Sequence, residues 1–207
     1  VLGDEKGKAD MVGAAKIKLP LSAESARALK AGDLVLISGS VVTGRDKIHK
    51  YLAQNRPLQQ VIPFDLAGTI LYHCGPVMKK LDGGYRVLAA GPTTSMRMEM
   101  YEAEIIRGYG IRGVMGKGGM GEKTRQALLE DGCVYLHTIG GAAVYLADRI
   151  VKTQGAWMLE EFGPTEAMWI FEVEDFPAMV TMDCHGRDLH REIEEISVDR
   201  FAELMGE

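Results

Sequence analysis

Two short stretches concentrate the residue types that bind anions. Gly91-Pro92-Thr93-Thr94-Ser95-Met96-Arg97 leaves a strand-like run at 87–90 and leads into a helix-like run at 98–107. The proline and the threonines suit a helix start, where hydroxyls and free backbone N–H groups can meet an anion and the helix dipole favours negative charge. Arg97 lies one turn in and offers a fork of donors matched to a carboxylate. About twenty residues on, Gly116-Lys117-Gly118-Gly119-Met120-Gly121 sets four glycines around one lysine. Such a loop can turn its N–H groups inward as an anion nest, with Lys117 as a point charge. Arg45, beside Gly44 at the end of an apolar run, is a third cation of this kind. Two anion cradles read as a site for a small molecule with two negative ends.

Each feature has a plainer reading. A glycine loop can be only a tight turn, Arg97 a surface ion pair, Thr93 and Thr94 caps. The loop matches neither the nucleotide-binding P-loop, since no Ser or Thr follows Lys117, nor the dinucleotide fingerprint. The functional reading rests on convergence. Arg45, Thr93, Arg97 and Lys117 all fall at or near predicted strand–helix junctions, which gather at one edge of an α/β sheet.

The elements that must position them alternate. Strands are expected at 14–20, 34–42, 69–73, 85–90, 133–137, 167–173 and 178–182, with a short glycine-rich one at 109–115. Helices are expected at 23–29, capped by Ser22, and at 47–54, 98–107, 122–130, 140–151 and 198–205, the last capped by Ser197. This pattern is α/β. Irregular strand lengths favour a layered sheet-on-sheet arrangement with helices on one side over a doubly wound sheet. Residues 11–207 read as one domain behind a polar, flexible arm at 1–10, or behind a segment preceding a start at Met11.

Composition narrows the function. A net charge of −5 over 207 residues gives no reason to expect a nucleic-acid partner. No run of 18 apolar residues exists, so no membrane span is expected. Cys74, Cys133 and Cys184 are scattered and odd in number, which fits a reducing cytoplasm better than a disulfide framework. His73 and Cys74 are neighbours on a strand and point opposite ways, which argues against a nucleophile–base pair. Cys184, His185 and His190 lack the spacing of a metal site, so no metal is expected on this chain.

The chain resembles the β subunit, or C-terminal domain, of the class I iron–sulfur fumarate hydratases. The resemblance is carried by Ser38-Gly39-Ser40-Val41-Val42-Thr43-Gly44-Arg45-Asp46 with His49, by Tyr72-His73-Cys74-Gly75-Pro76, and by the two central stretches. Gly140-Gly141-Ala142-Ala143 and Glu172-Val173-Glu174-Asp175-Phe176-Pro177 add to it, over roughly residues 12–185. The L-tartrate dehydratase β subunit is similar in the same motifs. The resemblance implies a swivelling β/β/α domain and reversible hydration of fumarate to L-malate. It implies a [4Fe-4S] cluster on a partner α subunit, none on this chain, and a site between the two. It assigns the substrate carboxylates to Arg45, Arg97 and Lys117, and makes Thr93 a candidate general base that needs a charged partner. A non-catalytic dicarboxylate-binding module is the rival reading. An αβ heteromer is the expected assembly, with self-association of the isolated chain through exposed apolar residues as a further possibility.

Overall fold

A computed structural model describes residues 13–206; the expected arm at 1–10 lies outside them. In chain order these residues form β1 (Ala15–Lys18), α1 (Ala23–Ala28), β2 (Leu34–Gly44), α2 (Asp46–Asn55), β3 (Ile70–His73), β4 (Val77–Leu81), β5 (Gly84–Ala89), α3 (Glu99–Tyr109), β6 (Gly113–Gly116), α4 (Glu122–Asp131), β7 (Val134–His137), α5 (Ala143–Ala147), β8 (Ile150–Trp157), α6 (Leu159–Phe162), β9 (Met168–Met182) and α7 (Leu189–Met205). The α/β class read from the sequence is the observed one.

The strands β2, β3, β6 and β7 run parallel, and α2, α3 and α4 lie in the connections between them. Strand β9 then pairs antiparallel with both β7 and β2, so the pairing circuit closes on itself. Strand β1 adds beside β2, and β8 beside β9.

Side-chain alternation explains why both faces are covered. Ile70 and Tyr72 join Met115, Val134, Leu136, Phe171 and Phe176 in one buried cluster. Leu71 points the other way, into a cluster with Ile48 and Leu52 of α2 and Ile105 of α3. Val114 and Tyr135 meet Ile106 of α3 and Ala127 and Leu128 of α4. Short, wholly apolar strands such as Ile70-Leu71-Tyr72 suit a parallel sheet with helices against it. The hairpin β4–β5 is separate from the large sheet and packs against the first cluster, with Tyr85 edge-on to Trp169 at 5.0 Å between ring centroids.

Three sequence-based expectations need correction. The helix expected at 140–151 is only α5; the chain then turns at Asp148 and Arg149, and Ile150 begins β8, held by its pairing to β9. The two strands expected at 167–173 and 178–182 are one bent strand. Asp175 adopts φ 47, and the register with β2 shifts between Ile37 and Gly39, where Gly39 has φ 116. The last helix begins at Leu189, not Val198. Asp188 caps it by accepting from the His190 and Arg191 amides, while Ser197 sits inside the helix with its hydroxyl on the Ile193 carbonyl at 2.7 Å. Ile193, Ile196, Phe201 and Leu204 of this helix are exposed.

The glycine loop is anchored from a neighbouring helix. Gly121 caps α4 without a side chain of its own. The Glu99 carboxylate of α3 takes that role, accepting from the amides of Gly121 (2.8 Å), Lys123 (3.0 Å) and Thr124 (3.2 Å) and from the Thr124 hydroxyl (2.6 Å). Negative charge at a helix N-terminus is stabilising, and several donors lose their partner when it goes. Glu99→Ala is expected to lower stability by about 2 kcal/mol. Urea unfolding checks this, and a loss below about 0.5 kcal/mol would show that water replaces the carboxylate without penalty.

Candidate functional site

The four candidate residues gather where the parallel strands end. Arg45 follows the last residue of β2 and is the N-cap of α2. Lys117 follows β6, and its neighbour Gly116 accepts the Thr138 amide at the end of β7. Thr93 arrives by a different route from the one its sequence suggests. The strand before it, β5, belongs to the hairpin, yet Thr93 N–H donates to the His73 carbonyl at 2.8 Å and Pro92 bridges Cys74 at the end of β3. Thr94 pairs with Lys117 in a short parallel bridge, and Ser95 N–H donates to the Lys117 carbonyl at 3.0 Å. A single 3-10 turn, Ser95–Met98, then carries Arg97.

Arg97 and Thr93 are in contact through side chains. One guanidinium nitrogen of Arg97 is 3.4 Å from the Thr93 hydroxyl, while Nε and the other nitrogen grip the two oxygens of Asp46, the Nε contact at 3.1 Å. Arg45 lies 4.0 Å from the same Asp46 carboxylate. Its Nε is 3.5 Å from Glu166 Oε1 but off the hydrogen-bonding direction, so that buried nitrogen has proximity without a bond. The other Glu166 oxygen caps α2 at the Lys47 amide, 2.9 Å. Lys117 is half-buried and makes no ion pair among the described residues. Its side chain lies along Gly140, where an added Cβ would come within 3.5 Å of the lysine Cδ. An added Cβ on Gly75 would collide with the Arg45 side chain, so the Cys-Gly-Pro turn leaves room for that arginine.

Beneath these residues is a buried polar cluster that the sequence reading did not assemble. Glu102 of α3, His49 of α2 and His73 of β3 are fully buried. His73 Nε2 donates to Glu102 Oε2 at 3.0 Å, and its Nδ1 faces the Ser95 hydroxyl at 2.9 Å. Tyr135 donates to that hydroxyl from the other side at 2.8 Å. His49 Nδ1 donates to the Arg45 carbonyl at 2.8 Å. Its Nε2 is 3.1 Å from Glu102 Oε2, an ion-pair distance without hydrogen-bond alignment, and Glu102 Oε1 has no partner among the described residues. The three ligand-type atoms lie within 4.8 Å of one another, close enough to share an ion. Sequence reasoning treated His73 only as a strand-end residue and His49 only as part of a motif. The available signal was periodicity: Glu102 sits three and four residues before the buried Ile105 and Ile106, and His49 lies between Ile48 and Leu52.

Charge explains how the cluster survives burial. Burial alone pushes the Glu102 carboxyl up, but the two imidazoles beside it, His73 and His49, outweigh that and bring it to about 2. Burial moves His73 the other way, below its ordinary value, against the pull of Glu102. A neutral His73 suits both neighbours, donating through Nε2 and accepting the Ser95 hydroxyl at Nδ1.

The chain's cysteines do not fit an iron–sulfur cluster. Cys74 and Cys133 are buried at the ends of different strands, burial pushes the Cys74 thiol to about 12 and the Cys133 thiol well up, and Cys184 follows β9. Cluster ligation needs thiolates that converge. Cys184 Sγ is 3.9 Å from His185 Nε2, and His190 does not join them at ligand distance. His185 bonds the Arg27 carbonyl at 2.8 Å, and His190 bonds Thr181 at 3.0 Å, stacked over Gly119 and beside His137.

The sequence matches the family described as "Fumarase C-terminus" over residues 4–193. It is 53% identical over 189 residues to a protein of Geobacillus stearothermophilus named for class I fumarate hydratase, covering 91% of this chain and 36% of that protein. The chain thus spans about a third of that relative's length. It is 36% identical over 187 residues to a protein of Methanocaldococcus jannaschii named for the L(+)-tartrate dehydratase β subunit, covering 90% of this chain and 96% of the other. The L(+)-tartrate dehydratase β subunit of Escherichia coli K12 is 36% identical over 188 residues, 87% and 89% of the two chains.

The buried cluster makes stability depend on pH. His73 and Glu102 both have folded values below their ordinary ones of 6.5 and 4.5. The unfolded chain therefore binds more protons below each ordinary value, so stability falls with falling pH. His73 contributes from about 6.5 downward and Glu102 from about 4.5 toward 2. Thermal midpoints measured from pH 8 to 4 should be level above about 7 and decline below about 6.5; a level profile down to pH 5 would show that His73 takes up its proton in the fold as readily as in the unfolded chain.

Proposed function

The chain belongs to the fumarase C-terminus family, and on that premise we propose that it is the dicarboxylate-holding part of a hydro-lyase, the β subunit of a class I fumarate hydratase. The layering of helices, parallel strands and antiparallel strands is then the family's swivelling β/β/α domain. The observation that carries the reading is the Asp46–Arg97–Thr93 contact. One side of the Arg97 fork grips a carboxylate while another nitrogen reaches the Thr93 hydroxyl.

In this proposal the substrate's carboxylates are held by Arg45, Arg97 and Lys117. Removing a proton next to a carboxylate gathers negative charge on it, and fixed cations stabilise that charge most in the transition state. Asp46 grips Arg97, and Asp46 and Glu166 lie beside Arg45, before substrate arrives, so less rotamer freedom is lost on binding. Lys117, without such a partner among the described residues, is the cation left for a carboxylate. Thr93 holds or moves the proton, with Arg97 stabilising negative charge on its oxygen, and it needs a charged group from outside this chain to act as a base. A [4Fe-4S] cluster belongs on a partner α subunit in this reading, since the donors of this chain do not fit one. Among the described residues no helix is long and apolar enough to cross a membrane, and protonated, unpaired cysteines suit a cytoplasmic setting. The two tartrate dehydratase β-subunit relatives favour a second reading in which the substrate is L-tartrate.

An anaerobic assay of the chain with and without a cluster-bearing partner decides between them. Loss of fumarate only when both chains are present supports the first reading, turnover of L-tartrate alone supports the second, and silence on both with an intact cluster leaves a binding module. In the active complex, Arg97→Lys should raise KM by about tenfold or more, because an ammonium cannot grip two oxygens and reach Thr93 together. An Arg97→Ala, Lys117→Ala double variant with full activity would sink the carboxylate-clamp assignment.

A further inference from the structure

We infer that Glu102 is the positioning residue of this site: from beneath, through His49 and His73, its buried carboxylate fixes the separations of Arg45, Thr93 and Lys117. The inference rests on the reading of those residues as a dicarboxylate site, and it assigns a role to a group that touches none of the substrate.

Three lines run outward from one carboxylate. The first goes through His49, which sits 3.1 Å from Glu102 and holds the Arg45 carbonyl twice, by Nδ1 at 2.8 Å and by its own amide at 3.0 Å. This fixes the first turn of α2, and with it the backbone from which the Arg45 side chain departs. The second goes through His73, whose carbonyl accepts the Thr93 amide at 2.8 Å. The third leaves His73 at Nδ1, reaches the Ser95 hydroxyl, and continues from the Ser95 amide to the Lys117 carbonyl at 3.0 Å. Tyr135 locks the Ser95 hydroxyl from β7.

Glu102 has no exposed surface, so it cannot meet a substrate. A Cβ on Gly116 would strike Ser95 Oγ and approach the His73 ring, so Ser95 can sit against the glycine loop only because position 116 has no side chain. A carboxylate that is fully buried and half-satisfied persists only while both histidines hold it, which makes the three elements α2, β3 and α3 move as one.

The test compares Glu102→Gln, Ser95→Ala and, as a control matched for stability, Val35→Ala. Val35 is buried near the other end of β2, away from Arg45. Hydrogen exchange in the full chain at the His49, Thr93 and Ser95 amides reads the three lines directly. Glu102→Gln should speed exchange at all three by about tenfold or more beyond neighbouring strand amides. Ser95→Ala, which removes only the third line, should speed the amide at position 95 but not those of Thr93 and His49, and Val35→Ala should single out none of them. In the assembled enzyme, kcat/KM should fall roughly ten- to hundredfold in Glu102→Gln and recover in part in Glu102→Asp, with Val35→Ala within about twofold of the parent.

Unchanged protection at the three amides overturns the inference, as does acceleration spread evenly over the sheet. Full kcat/KM in Glu102→Gln overturns it too, and so does one divalent ion per chain that this variant releases, since the carboxylate would then be a ligand. If the unsubstituted complex turns over neither dicarboxylate, the functional reading falls, and the exchange data alone decide the positioning role. Should Glu102→Gln fail to fold, the selective pattern in Ser95→Ala supports the inference and its absence overturns it.

Discussion

A carboxylate cannot be taken out of water alone. Ionised and unpaired in an apolar interior it loses far more solvation than packing returns, so it must bring cations or donors with it. Glu102 meets that constraint with two imidazoles drawn from different elements, and much of the local architecture follows. The helix carrying His49 must start where β2 stops, the strand carrying His73 must run beside it, and α3 must cross at the height of both. The apolar clusters on either side supply most of the burial energy, but they are tolerant of small shifts. The polar triangle is not, because a displaced donor leaves a buried charge without a partner.

The edge above that triangle carries a local balance of charge opposite to that of the whole protein. The chain is acidic overall, yet Arg45 and Arg97 meet at Asp46, and Lys117 follows β6 at the same end of the parallel strands. Asp46 and Glu166 offset two of these cations and set their directions. Their placement costs little, since one caps α2 and the other begins it, where the helix dipole already favours negative charge. The acidic residues are therefore part of how a cationic site is kept in shape.

Much of this was legible before the structure. Glycine, proline, threonine and the cations marked the strand ends, and the apolar runs marked which strands are covered on both sides. What escaped notice depended on residues meeting from distant parts of the chain. Glu174, Asp175 and Pro177 fall between two strands expected from the sequence, yet pairing to β2 carries one strand through them with a bend at Asp175. Ile150 and Val151 continue a helical pattern in sequence but are claimed by β8 because β9 offers a free edge. Glu102 is an ordinary surface residue type, and only its place among Met98, Ile105 and Ile106 betrays that it faces inward.

The closed circuit of strands has a consequence in time. Strand β2 is made early and β9 late, and Leu34 finds its partner only in Met179. On a ribosome, the parallel strands and their helices emerge as a series of local units that can form in order. The layer that seals them must wait for β9, with the inner faces of β2 and β7 open to water until then. Nascent chains of this fold therefore pass through a long interval in which an apolar wall stands unroofed. Speed of synthesis, and whatever shields that wall meanwhile, bear on yield as much as the stability of the finished protein does.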